Sequence, residues 1–212
     1  SRALVALGVQ AQENIGVFSQ NKPECLYTDF GAFGVRAVTV PLYATSSEAQ
    51  VHYILQDAAI RFLFVGEQYQ YDVASRVQNL CHTLKRIIVF DSSVKLAPGD
   101  TNSLYYEDFL ALGDNMELQQ QVDKLTAESS PQDLANILYT SGTTGESKGV
   151  MLHHSCYEAA FKAHHGRLTT LGEQDVVMNF LPFTHIFERA WSYYCLDRGC
   201  VLCINLRPQD IQ

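Results

Sequence analysis

Short apolar segments alternate along this chain with longer segments in which apolar residues recur every three or four positions. The short segments predict four strands, at residues 14–19, 37–40, 61–65 and 86–90. The longer segments predict helices, at about residues 21–34, 46–58 and 69–84. Because parallel strands of one sheet need crossovers of this length between them, the alternation predicts an α/β fold. We expect mostly parallel, doubly wound sheets with helical crossovers.

Residues that favour helix starts precede two of these helices. Asn21 is expected to cap the first helix, with Pro23 in its first turn, where the missing N–H of proline is not needed. Ser46 or Ser47 is expected to cap the second helix.

Two turn-rich stretches, 91–103 and 128–133, interrupt the pattern, and each is a candidate boundary within the region. The favoured interpretation of the stretch at 91–103 is a surface loop within one domain. Beyond them the pattern predicts strands at 134–140, 149–154 and 201–205, an apolar segment at 176–183, and helices that end near His165 and begin near Thr184.

Composition and charge exclude several classes of protein. With 47% hydrophobic and 18% charged residues over 212 positions, the chain has the profile of an ordinary globular protein. A net charge of −8 gives no electrostatic reason to bind nucleic acid, and no apolar run approaches the length of a membrane span. The six cysteines lie mostly in apolar segments, which favours reduced thiols and a cytoplasmic location.

A polar loop from Thr140 to Lys148 follows the predicted strand at 134–140. Its glycines let backbone N–H groups approach an anion closely, its hydroxyl groups add donors, and Lys148 adds a positive charge. The loop is therefore predicted to bind phosphate, with an ordinary surface loop as the alternative. Ser147 stands where the common P-loop pattern requires glycine, which argues against a kinase or GTPase.

Two groupings of metal-ligand residues are rejected as metal sites. Cys195, Cys200 and Cys203 lack the fourth ligand of an iron–sulfur cluster, and a buried strand would use them as small apolar side chains. The pairs His153–His154 and His164–His165 consist of adjacent residues that face apart, which argues against zinc.

The motif YTSGTTGESKGVMLHH, at 139–154, resembles the signature of the adenylate-forming superfamily of acyl-CoA synthetases, luciferases and peptide-synthetase adenylation domains. The usual form of that signature is Y-T-S-G-T-T-G-x-P-K-G-V, and Ser147 stands in place of its proline. The segment FLPFTHIFERAW, at 180–191, is similar to the LPLAHIFER segment of the long-chain acyl-CoA synthetase branch. The resemblance covers essentially the whole chain.

This resemblance implies an ATP-dependent ligase that converts a fatty acid to an acyl-adenylate, releases pyrophosphate and transfers the acyl group to coenzyme A. By resemblance, Thr140 is the hydroxyl on the Mg²⁺ side, and Lys148 contacts the phosphates of ATP. The other residues implied to contact these phosphates are Ser141, Gly142, Thr143, Thr144 and Gly145. His185 occupies the family's gate position between nucleotide and acyl tunnel, with a histidine bonded to its own helix start as the alternative.

Residues 1–212 are expected to form an incomplete N-terminal adenylation region, with the remaining motifs and a C-terminal lid domain outside this chain. We therefore expect that this region alone makes no acyl-adenylate. Two other functions remain open: adenylation of an aryl or amino acid, and a nucleotide- or lipid-binding module without catalysis. Long-chain substrates also leave open peripheral membrane contact of the parent enzyme, although no basic amphipathic helix supports it.

Aromatic and apolar residues around the second motif have two interpretations. They either line a fatty-acyl tunnel or belong to the ordinary core, and the second is the more common use of such residues. They are Phe180, Phe183, Ile186, Phe187 and Trp191.

Overall fold

The computed structural model describes residues 1–140 and 146–207. The helices of this part are α1 (Arg2–Ala6), α2 (Pro23–Phe33), α3 (Glu48–Asp57), α4 (Gln68–Gln78), α5 (Tyr106–Ala111), α6 (Glu117–Ala127), α7 (His154–His165) and α8 (Ile186–Asp197). Its strands are β1 (Asn14–Phe18), β2 (Val38–Leu42), β3 (Phe62–Val65), β4 (Arg86–Val89), β5 (Ser103–Tyr105), β6 (Leu134–Thr140), β7 (Lys148–His153), β8 (Val176–Asn179) and β9 (Val201–Ile204).

Seven strands form one sheet in the order β5-β4-β3-β1-β2-β6-β7. Strands β1 to β6 run parallel, and β7 pairs antiparallel with β6 at one edge. The predicted α/β fold with a mostly parallel sheet is therefore confirmed. β2 lies on one side of β1 and β3 on the other, so the direction of winding reverses there. Ligands of such sheets bind at the carboxyl ends of the strands next to the reversal.

Helices cover both faces of this sheet because adjacent residues of a strand point to opposite faces. On one face, Leu55 of α3 and Val77 of α4 share a core with Leu63 of β3. On the other face, Leu26 of α2 shares a core with Phe64, the next residue of the same strand. α1, α5, α6, α7 and α8 also contribute to this second core.

The region from 103 to 127 departs from the sequence prediction. β5 begins at Ser103, the end of the predicted loop at 91–103, and pairs with β4, so the elements on both sides of that loop belong to one sheet. α5 and α6 follow, and neither was predicted. In α6, Leu118, Val122 and Leu125 have the spacing of one helix face and pack on the second core, so the sequence contained a sign of this helix that was not used.

The first crossover helix begins one residue later than its sequence indicated. Lys22, not Asn21, is the N-cap of α2, and Pro23 is in the first turn as expected. The Asn21 side chain is not available as a cap because it binds a distant loop, as described below. Ser47 caps α3 in a capping box with Gln50, as predicted.

The predicted helix at 69–84 ends early, since α4 stops at Gln78. Apolar spacing continues beyond it, but Cys81 and Leu84 are buried through turns while Leu80 is 60% exposed. Apolar residues at helical spacing therefore continue beyond the end of the helix.

β8 and β9 form a separate two-stranded parallel sheet. One side packs on α8, while Val176 and Val201, which pair directly, are both more than half exposed. The expectation of a fully buried strand at 201–205 was wrong, because Cys203 is exposed.

All six cysteines are free thiols, as predicted. Burial raises the pKa of Cys25 to about 11 and that of Cys195 to about 12, which makes both thiols unreactive near neutral pH. Among the described residues, no helix has the length and apolar character needed to cross a membrane.

Candidate functional site

The predicted phosphate-binding loop connects β6 to β7, which form an antiparallel hairpin. Thr140 and Lys148 pair directly across the hairpin at the end nearest the loop, and both are exposed. The five residues of β6 before Thr140 are buried, so the chain leaves the core at Thr140. Directly opposed residues of an antiparallel pair project to the same face, which brings the hydroxyl and ammonium groups together at the start and end of the loop.

Five predicted phosphate ligands, Ser141, Gly142, Thr143, Thr144 and Gly145, lie outside the described residues. Their role stays a prediction. The two predicted ligands that flank them are described, and no ion pair joins Lys148 to a carboxylate in the described part of the chain.

Gly149 provides space that this hairpin requires. A Cβ atom at this position would lie 2.8 Å from Cγ2 of Ile137 and 3.3 Å from the Tyr139 ring. Tyr139 pairs directly with Gly149, so the bare backbone allows the ring to lie against the partner strand. This role was not predicted, although a glycine within a strand indicates close approach of a neighbouring group.

His185 is the N-cap of α8 and is exposed. Its Nδ1 accepts a hydrogen bond from the Phe187 N–H at 3.2 Å. Helix-start bonding, the alternative to a gate, is thus present in the structure. This bond uses one ring nitrogen, and the residue stays exposed at the start of α8.

Asn21 holds the segment just before His185. Its Nδ2 donates to the Leu181 carbonyl at 2.7 Å, and its Oδ1 accepts from the Phe183 N–H at 2.9 Å. Both ends of the amide are therefore used to connect the end of β1 to the loop before α8. These contacts span about 160 positions of the sequence, which explains why sequence reasoning assigned Asn21 to a local cap.

A buried ion pair joins α8 to α2. Arg189 donates to Asp29 of α2, and both side chains are 1% exposed. The Tyr193 hydroxyl donates to the same carboxylate at 2.7 Å, and Nε of Arg189 donates to the Phe183 carbonyl at 2.7 Å. Burial acts to lower the pKa of Arg189, but the charge of Asp29 opposes this effect and the net shift is upward. Arg189 therefore stays charged inside the protein.

The hydrogen bonds of Asp29 continue across the sheet. Thr39 of β2 donates to Asp29 at 2.7 Å and accepts from Nδ2 of Asn136 at 2.6 Å. The Tyr157 hydroxyl of α7 donates to Asn136 at 2.6 Å. This Asp29 network, comprising Asp29, Thr39, Asn136, Tyr157, Arg189 and Tyr193, links the strand that ends at Thr140 to the helix that follows His185.

The sequence contained a sign of this network that was not used. Thr39 and Asn136 are polar residues within strands that are otherwise apolar, and both are fully buried. Buried polar groups need hydrogen-bond partners, so such positions indicate a polar contact between elements. The sequence does not show which residues these partners are, because Thr39 and Asn136, which bind each other, lie 97 positions apart on different strands.

Glu188 and Arg189 do not pair with each other, because adjacent residues of a helix point in different directions. Glu188 is buried and accepts from Nδ2 of Asn179 at 2.6 Å, at the carboxyl end of β8. Burial raises the pKa of Glu188.

A cleft of about 350 Å³ lies at the carboxyl ends of β1 and β2, next to the winding reversal. Its lining includes Ser19 and Thr45, which follow β1 and β2, and Thr184 and Arg189, which lie at the start of α8. The segment that Asn21 holds therefore forms one wall of this cleft.

The apolar residues of the second motif divide between the two interpretations. Phe183 is 5% exposed and belongs to the core. Phe180, Ile186 and Phe187 are 44%, 41% and 60% exposed, so they present apolar surface around His185 rather than fill the core. Trp191 packs against Tyr194, with ring centroids 5.9 Å apart.

A magnesium ion fits Thr140 only as one oxygen ligand of several. Mg²⁺ takes six oxygen ligands, and it commonly shares them between protein, phosphate and water. In residues 1–140 and 146–207, no group of three His, Cys, Asp or Glu side chains is placed to hold a metal. Thr140 would therefore hold the ion together with oxygens of bound phosphate and water, not within a cage of carboxylates from the described residues.

Comparison with known proteins finds similarity along nearly the whole chain. A family model described as AMP-binding enzyme matches residues 1–210. Fatty acyl-CoA synthetase A of Dictyostelium discoideum is 33% identical over 194 residues, which cover 89% of this chain and 28% of that protein. Long-chain-fatty-acid–CoA ligase ACSBG2 of Rattus norvegicus is 30% identical over 216 residues, covering 100% of this chain and 32% of that protein. The chain thus spans about a third of the length of the curated relatives it matches.

Solved structures share the fold. A long-chain-fatty-acid-CoA ligase (FadD1) from Archaeoglobus fulgidus has a TM-score of 0.71 at 24% identity, over 99% of this chain and 38% of that chain. The anthranilate CoA ligase AuaEII, in complex with anthranoyl-AMP, has a TM-score of 0.74 at 22% identity, over 98% and 37%. At these identities the similarity concerns the fold alone.

Proposed function

The chain belongs to the family of AMP-binding enzymes, and from this membership we propose that the protein containing it is an AMP-forming long-chain fatty-acid–CoA ligase. In the proposed reaction, the fatty-acid carboxylate attacks the α-phosphorus of ATP and forms an acyl-adenylate and pyrophosphate. The thiol of coenzyme A then takes the acyl group and AMP leaves. Relatives named as long-chain ligases, at 30% and 33% identity, support this choice of acid.

The observation that carries the proposal is the β6–β7 hairpin. It presents Thr140 and Lys148 as an exposed pair at the two ends of the loop in the adenylate-forming signature. Such a pair suits a triphosphate, since an ammonium and a hydroxyl complement phosphate oxygens. The aryl and amino acids considered above share this chemistry with fatty acids, so the hairpin supports adenylation, and the relatives support the long-chain acid.

Charge control is the main task of these residues in the proposed reaction. A carboxylate and a triphosphate are both anions, so their approach is unfavourable until the phosphate charge is balanced. The Lys148 ammonium supplies part of this balance and stabilises pyrophosphate as the leaving group. The Thr140 hydroxyl would hold a magnesium ion on this side, and the ion, when bound, would add positive charge beside the phosphate oxygens.

Chain-length preference tests the proposed substrate. In ATP–pyrophosphate exchange by the full-length protein, we expect the largest kcat/KM with long-chain fatty acids, and little exchange with short-chain, aryl or amino acids. Release of AMP should then depend on added coenzyme A. Preference for an aryl or amino acid would replace the fatty acid in the proposal, and absence of exchange with every acid would favour a binding module without catalysis.

His185 is proposed to control passage between the nucleotide and the acyl group, since its exposed ring adjoins the apolar side chains of Ile186 and Phe187. His185→Ala removes both the ring and the cap of α8, whereas His185→Asn keeps a preferred capping group and removes only the ring. We expect both variants of the full-length protein to lose on the order of tenfold in the rate of acyl-adenylate formation, measured by pyrophosphate exchange.

The two substitutions distinguish a role of His185 as a gate from a role as the N-cap of α8. If His185 acts only through the helix start, His185→Asn will keep wild-type kinetics while His185→Ala will not. His82→Ala, a change at an exposed histidine next to β4, serves as the control and should leave the exchange rate unchanged.

A further inference from the structure

Tyr53 of α3 contacts the backbone just before Lys148. Its hydroxyl donates to the carbonyl oxygen of Ser147 at 3.0 Å, across 94 positions of the sequence. Ser147 is bonded directly to Lys148, which is the first residue of β7. A side chain of α3 thus fixes the point at which the chain enters β7.

Tyr53 is itself held in place by β6. Its ring lies edge-on to the Tyr139 ring, with centroids 6.3 Å apart and planes at 88°. The Tyr139 hydroxyl donates to Asp57, the last residue of α3. Two tyrosine hydroxyls therefore connect α3 to the hairpin, one to the end of α3 and one to the start of β7.

From these contacts we propose that Tyr53 is a positioning residue for Lys148, acting through the carbonyl of Ser147 to set where the ammonium lies when ATP binds. The inference rests on the proposed function, because it assigns Lys148 to the phosphates. It extends that function to a residue on a different element, outside the signature loop.

The residue at position 147 explains why such a contact is needed. Serine leaves φ free to vary, whereas the proline of the usual signature fixes φ near −65°. The backbone before Lys148 therefore has more conformations to lose on binding, and the bond from Tyr53 restricts them. Burial, with the negative charges of Asp57 and Glu146, raises the pKa of Tyr53, so the hydroxyl keeps the proton that it donates.

Tyr53→Phe in the full-length protein tests the proposal, because it removes the hydroxyl and keeps the ring against Tyr139. Tyr105→Phe is the matched control, since the Tyr105 hydroxyl also donates to a backbone carbonyl, that of Val94 at 2.8 Å, at the far edge of the sheet. Two quantities are measured for each protein: the amide hydrogen-exchange rate of the peptide covering 146–152, and the Kd for ATP with Mg²⁺.

Loss of one hydrogen bond corresponds to a change of about two- to tenfold in each quantity. We expect Tyr53→Phe to increase both the exchange rate and the Kd by this factor, and Tyr105→Phe to change neither. Where wild type turns over, KM for ATP should rise more than kcat falls. An unchanged Kd in Tyr53→Phe overturns the proposal even if hydrogen exchange accelerates, because the contact would then be structural only.

The same measurements distinguish failure of the proposed role of Tyr53 from failure of the proposed function. If wild type binds ATP but exchanges pyrophosphate with no acid, the ligase proposal fails while the two Kd values still decide the role of Tyr53. If wild type binds no ATP, both proposals are overturned.

Discussion

Replacing Asp29 with alanine should lower the free energy of unfolding by about 3–5 kcal/mol, the usual result of removing one partner of a buried ion pair. Arg189 would remain charged at 1% exposure, and the hydroxyl groups of Thr39 and Tyr193 would lose their acceptor. The loss arises mainly from the unpaired buried charge, not from the attraction that the native pair supplies.

A urea titration of the full-length protein measures this loss. Unfolding is followed by hydrogen exchange in peptides from β2 and β6, because this measurement reports the stability of these strands even where the whole protein does not unfold in one step. The control is Glu48→Ala, which breaks the pair with Arg76 at 2.5 Å, where both side chains are 53% exposed. Such a surface pair contributes about 1 kcal/mol or less.

Two outcomes decide whether the loss of stability arises from the unpaired buried charge. The double substitution Asp29→Leu/Arg189→Met should recover much of the loss, because apolar replacement of both partners leaves no unpaired charge. If Asp29→Ala destabilises these peptides no more than Glu48→Ala does, the Asp29 network does not fix α8 on the sheet.

Replacing Lys148 with alanine should lower kcat/KM for ATP by about 10²- to 10³-fold, comparable to removal of one preorganised donor to a transition-state charge. Stability should change little, since Lys148 is exposed and no ion pair in the described residues depends on it. The measurement is ATP–pyrophosphate exchange by the full-length protein with a long-chain fatty acid.

Lys162→Ala supplies a control of the same charge change. Lys162 pairs with Glu158 at 2.6 Å on the surface of α7, with the lysine side chain 74% exposed, so its loss should leave the exchange rate unchanged. A Lys148→Ala enzyme whose kcat/KM for ATP stays within threefold of wild type would show that Lys148 does not balance the phosphate charge.

The spacing of apolar residues predicted those elements whose structure follows from residues close together in the sequence. The strands β1, β2, β3 and β4 and the crossover helices between them were recognisable because each buries one continuous set of apolar side chains. α6 was missed although Leu118, Val122 and Leu125 have helical spacing, because these three apolar positions stand among polar, mostly exposed residues. Leu84 extended the prediction for α4 because burial in a turn produces the same spacing.

The candidate site was predictable only where its residues are adjacent in sequence. Thr140 and Lys148 belong to one motif, and they pair directly across the hairpin, while their contact with phosphate stays a prediction. Asn21, Asp29 and Tyr53 were not recognised, because their partners lie 160, 160 and 94 positions away. A residue type that is suited to a local cap or an exposed helix face gives no sign of such a distant partner.

The separation between Asp29 and Arg189 also affects how the polypeptide is made. The ribosome adds about 5–20 residues per second, so the 160 positions between them correspond to a delay of roughly 8–32 s during translation. Throughout that interval the nascent sheet must either leave Asp29 hydrated or enclose a carboxylate that has no guanidinium. The N-terminal part of the chain therefore cannot complete its packing cotranslationally until α8 has emerged from the exit tunnel.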